Sequence, residues 1–146
     1  MDTRRLLAGT VVGGVVMYLM GLLLWAMLFA SVRWLPTSFF EGLMATEAGR
    51  SGAILWADIV GTATLAMLLT LVIGWTGSST IVEGLKTGAL VNFMVWLGVD
   101  LILYANLTIV ELNGIMVDPV LELVRGGVAG AAIALVSRGS GGAEAG

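Results

Sequence analysis

Histidine and cysteine are both absent from this chain of 146 residues. Their absence excludes disulfides, thiol nucleophiles, Cys/His zinc sites, a Ser-His-Asp triad, and any haem or chlorophyll ligated by a histidine of the chain. Charge is scarce too. Only 12% of the residues are charged, against about a quarter in ordinary soluble domains. The formal net charge is -3, and no basic patch marks a nucleic-acid surface. What is present is apolar: 58% of residues are hydrophobic and the mean hydropathy is +1.01. So few charges cannot cover a water-facing surface, so lipid is the expected solvent for much of the chain. The length fits one domain.

A hydrocarbon core about 30 Å thick takes about 20 apolar helical residues to cross. Four segments meet that requirement. The first, residues 6–31, has no charge. The second, 54–75, is interrupted by Asp58. The third, 85–108, has Lys86 at its edge and Asp100 inside, and the fourth, 119–137, contains Glu122 and Arg125. Transmembrane strands would instead alternate over about ten residues. The expected fold is therefore all-α, a bundle of four transmembrane helices with antiparallel up-down topology, followed by a flexible tail over 139–146. Arg4 and Arg5 precede the first apolar run as in an export signal. That run is about 26 residues, against about 7 to 15 in a signal peptide, so an uncleaved anchor is expected.

The longest connection, 32–53, has two readings. Ser38 and Glu41 have capping-box spacing, so Phe39, Phe40, Leu43 and Met44 can form a short helix in the headgroup layer; an irregular loop accounts for the segment equally well. Gly77-Ser78-Ser79 and Asn113-Gly114 mark two short turns. Asp118-Pro119 has the form of a helix start. Arg4, Arg5, Lys86 and Arg138 fall on one side of the bundle. Arg33 and Arg50 fall on the other, diluted by Glu41, Glu47 and Glu111. The positive-inside rule then puts both termini in the cytoplasm. Trp34 and Trp56 would mark the outer interface and Trp75 the inner one.

Between helices in lipid, close packing and hydrogen bonds replace the hydrophobic force. Gly9 with Gly13, and Gly126 with Gly130, have GxxxG spacing. Ala57 with Gly61 is a weaker version. These point first to packing within the chain and second to a separate subunit. Intramembrane charges are the most informative residues, since each costs on the order of 3 kcal/mol to insert. At about 1.5 Å per residue, Asp100 lies about 12 Å and Arg125 about 10 Å below the outer boundary, with Asp58 and Glu122 at about 6 Å. An Asp100–Arg125 pair is therefore expected between the third and fourth spans, with Asp58 and Glu122 nearby. Glu122 and Arg125 can also pair within one helix at i,i+3. Asn92, Trp96 and Asp100 recur every fourth residue along one face. Three acids against one base leave an excess of negative charge, which either holds a proton or attracts a cation. The structural alternative is that these groups lock the helices together.

Asn106-Leu107-Thr108 matches the glycosylation pattern but lies at a predicted helix end, where chance explains it. The eight methionines suit irregular packing and have no ligand-like spacing. No nucleophile, metal-ligand set or cofactor motif accompanies the acids, so neither catalysis nor a bound metal or cofactor is expected. Asp100-Leu101, Asn106-Leu107, Asp118 and the Gly-rich run through Gly126 and Gly127 resemble the small uncharacterised bacterial four-helix inner-membrane families. That resemblance implies a location in the bacterial cytoplasmic membrane and carries no reaction. The expected function is a non-catalytic membrane subunit, in contact with lipid and with other membrane subunits or itself. The alternative is a small oligomeric transporter or proton/ion-handling protein using the Asp/Glu/Arg cluster.

Overall fold

The computed structural model describes residues 2–31, 54–107 and 112–139. Four helices account for nearly all of them: α1 (Thr3–Ser31), α2 (Leu55–Thr76), α3 (Ile81–Asn106) and α4 (Leu112–Gly139). Each contains a segment long and apolar enough to cross a bilayer. The protein is an integral membrane protein of four spans. The proposed headgroup helix around Phe39 and the outer Trp34 lie outside the described residues.

Sequence chemistry sets the helix ends that are described. Gly77 closes α2 in the left-handed conformation, φ 64°, which a side chain would oppose. Its N–H and that of Ser78 both reach the Ile73 carbonyl. Thr80 caps α3 in a complete capping box: its hydroxyl accepts from Glu83 N–H at 3.0 Å, and Glu83 Oε2 accepts from Thr80 N–H at 2.9 Å. Ser78 bridges Thr76 at 2.8 Å and Thr87 at 3.0 Å, tying the turn to α3. The fourth helix differs from expectation. It begins at Leu112, seven residues before Pro119, so Asn113-Gly114 lies inside a helix and Pro119 is internal. A proline within a membrane helix is tolerated because neighbouring groups absorb the freed carbonyl.

The contacts give the topology. Gly84 meets Gly130 and Ala134, Gly88 meets Gly126, and Asn92 meets Gly126, so α3 and α4 run antiparallel. Gly9 faces Thr70 while Gly13 and Gly14 face Ala66, which makes α1 antiparallel to α2. Gly13 faces Ile133 and Gly21 faces Arg125, which makes α1 antiparallel to α4. The chain is thus an up-down-up-down bundle. Its tightest seam joins α3 and α4: a Cβ on Gly88 would run into the Gly126 carbonyl, and one on Gly130 into the Gly84 carbonyl. Here two GxxxG pairs, Gly84/Gly88 and Gly126/Gly130, lie back to back and let the backbones touch.

Met17, Ala66, Leu69, Ile73, Ala129 and Ile133 form the buried core where α1, α2 and α4 meet. Threonines on α2 return their hydroxyls to their own helix, Thr64 to Val60 O at 2.8 Å and Thr70 to Ala66 O at 2.7 Å, so they need no water. Trp56 and Trp75 stand exposed on α2 nineteen residues apart, or about 28 Å along a helix, which is close to the thickness of the hydrocarbon core. α2 packs against α1 but touches α3 only lightly. The gap between α2 and α3 holds the site.

Candidate functional site

A cleft of about 780 Å³ opens between α2 and α3, floored by α4, in the half of the bundle away from the termini. Asp58 and Thr62 come from α2, Trp96 and Asp100 from α3, and Asp118, Glu122 and Arg125 from α4. The remaining walls are largely apolar, Leu65, Val95 and Ile115 among them.

Arg125 is tied down on three sides. Its Nη1 donates to Glu122 Oε1 at 2.7 Å, its Nε donates to the Met17 carbonyl of α1 at 2.7 Å, and its Nη2 reaches Thr62 Oγ1 of α2 at 3.5 Å. Gly21 on α1 leaves room for the guanidinium, since a Cβ there would sit 3.3 Å from Arg125 Cζ. The second oxygen of Glu122 accepts from Asn92 Nδ2 at 2.9 Å. Glu122 is 5% exposed and Asn92 2%. Asn92, Glu122 and Arg125 thus form one neutral, hydrogen-bonded chain that joins all four helices. A half-satisfied network would be unstable at this depth, whereas this one places both carboxylate oxygens and every guanidinium nitrogen on a partner.

The expected Asp100–Arg125 pair does not form; Arg125 pairs with Glu122 instead. The reason is register. Because α4 starts at Leu112 rather than Pro119, it is displaced against α3 by seven residues, about 10 Å. Asp118, seven residues before Arg125, takes the position opposite Asp100. Both aspartates line the same cleft. Asp100 is 8% exposed, and among the described residues no N–H or O–H donor reaches its enclosed Oδ2. Trp96 Nε1 is likewise buried without an acceptor. Asp58 stands exposed on the α2 wall and makes no ion pair among the described residues.

The sequence-selected residues therefore divide. Glu122 and Arg125 come together, Asp100 faces a different acid, and Asp58 lines the same cleft without touching them. Gly9, Gly13, Gly126 and Gly130 sit at contacts between helices of this one chain. Asp118 was hidden because Asp-Pro has the form of a helix start. Gly84 and Gly88 carried a readable GxxxG signal on α3. Thr62 and the Met17 carbonyl had no signal, since a threonine or a backbone carbonyl in an apolar run looks like any other.

Chemically, the two faces of the site are unlike. The Glu122–Arg125 side is neutral and occupied. The Asp100–Asp118 side has two acids and no base, in a low-dielectric setting where two adjacent negative charges repel strongly. Two ionised carboxylates with no base against them are the unfavourable state of such a site. Among the described residues, no three acidic side chains converge tightly enough to hold a metal ion. No protein-family model matches the chain, and no curated protein or solved structure matches it either.

Proposed function

We propose that this is a non-catalytic membrane protein that takes up a proton or a cation in the cleft between α2 and α3. The observation that carries the reading is Asp100. It is a residue only 8% exposed, with one carboxylate oxygen unpartnered among the described residues, and it shares its cleft with a second acid, Asp118, in a bilayer-spanning bundle. Ionisable groups inside membranes are costly and mark ion or ligand paths when they are not paired. Glu122 and Arg125 are paired and serve as structure; Asp100 and Asp118 are not.

The small-residue motifs offered one of several grounds for reading the chain as a subunit of a larger assembly. Gly9, Gly13, Gly126 and Gly130 all face this chain's own helices, so they offer no free seam for a partner. We place the protein in a bacterial cytoplasmic membrane with both termini inside. Arg4 and Arg5 at the start of α1 and Lys86 near the start of α3 share one end of the bundle, as the positive-inside rule requires.

Infrared difference spectroscopy on protein in lipid nanodiscs tests the proposal. Changing pH, or adding a cation at fixed pH, should alter a buried carboxyl C=O band. That band should vanish in Asp100→Asn and in Asp118→Asn, with helical content unchanged. Spectra of both variants identical to the parent's would remove the cleft as the site of uptake.

A further inference from the structure

We propose that the ligand of this cleft is an organic monocation, a protonated or quaternary amine or its analogue carrying an apolar body, which enters sideways from the bilayer between α2 and α3. The proposal rests on the cation reading above and adds the chemical class. Four features of the cleft select it.

The charge is suited to a single positive centre. Arg125 is neutralised by Glu122, so the free negative groups are Asp100 and Asp118, with Asp58 on the facing wall. The walls suit an apolar body. A volume of about 780 Å³ with mostly apolar lining is in the size range of sites for small organic molecules, about 300–1,000 Å³. A bare divalent ion would instead require about six oxygen ligands. Trp96 adds an aromatic surface to the same wall as Asp100, and aromatic rings attract organic cations through their faces. Pro119 has no N–H for the carbonyl of Ile115, a residue of the cleft wall, and so frees one further acceptor nearby.

The route is the loosely packed α2–α3 boundary. A side chain added at Gly61, on the α2 wall of the cleft, would meet no atom within 4 Å, so that wall of the opening is bare. An amine with an apolar body partitions into lipid and reaches this opening from within the bilayer.

Binding exchanges one charge for another. Where the acids of the cleft hold a proton, that proton leaves for water as the cation arrives, and the net charge of the cleft is unchanged. The other charged groups facing the pair are Asp58 from α2 and Glu122 and Arg125 from α4; α1 contributes the Met17 carbonyl, which holds Arg125.

The test is calorimetry and proton release on the full chain in nanodiscs, with tetraphenylphosphonium as the probe and uncharged triphenylphosphine as the competitor. Saturable binding is expected, with about one proton released per cation and no displacement by triphenylphosphine. Asp100→Asn and Asp118→Asn should weaken binding roughly tenfold or more and abolish proton release. Gly61→Leu, which grows into open space on the cleft wall, should weaken binding similarly while leaving thermal stability intact. It decides the matter should the aspartate variants fail to fold. Binding unaffected by all three substitutions, or equal binding of triphenylphosphine, overturns the proposal. So does an infrared response to pH or sodium without any tetraphenylphosphonium binding, although the uptake reading would survive that result. Loss of both responses ends both.

Discussion

Arg125→Met removes the one base of the buried network while keeping an unbranched side chain of similar length. In the parent, Arg125 donates at 2.7 Å to Glu122 and to the Met17 carbonyl, and more weakly to Thr62. The substitution strands Glu122, a carboxylate 5% exposed, with Asn92 as its remaining donor. Breaking a buried ion pair from one side costs about 3–5 kcal/mol in soluble proteins, and an interhelical hydrogen bond in a membrane is worth about 0.6 kcal/mol on average. A loss of about 3 kcal/mol is expected. The double variant Glu122→Gln/Arg125→Met leaves no buried charge and should recover at least about half of that. Reversible unfolding in mixed micelles, followed by circular dichroism, measures both. If Arg125→Met costs under about 0.5 kcal/mol, or the double variant is weaker than the single by the full cost of a second deletion, the network does not hold the helices together as argued.

Two further outcomes test the packing and the turn. Gly88→Ala forces a Cβ into the Gly126 carbonyl and should destabilise by about 1–3 kcal/mol, whereas Gly98→Ala, which meets nothing within 4 Å, should stay within about 0.5 kcal/mol in the same unfolding assay. Gly77→Ala places a side chain at φ 64° and should cost about 1–2 kcal/mol, with faster amide exchange at Ser78 as its local signature.

Much of the architecture was readable along the chain. The four apolar runs predicted four helices because a bilayer of set thickness demands a set length of apolar helix. Gly77-Ser78-Ser79 predicted the turn between α2 and α3 because only glycine enters the left-handed region there at no cost. The start of α4 was misplaced because Asp118-Pro119 satisfies the local rules for a helix beginning, and nothing local reveals that six residues of helix precede Asp118. That single displacement accounts for the misassigned partner of Asp100.

Hydropathy and the spacing of small residues are properties of one segment at a time, so the residues alone determined the solvent, the number of spans and the glycines that allow close approach. Which acid meets which base depends on how far one helix is slid along another. That offset is set where Gly84 and Gly88 lock onto Gly126 and Gly130, by contacts between segments about 40 residues apart. A slide of two turns exchanges Arg125 for Asp118 opposite Asp100, and with it a neutral pair for an acidic one. Only the tertiary structure decided between them, because charge pairing in a membrane follows depth and register, and neither is written in any one helix.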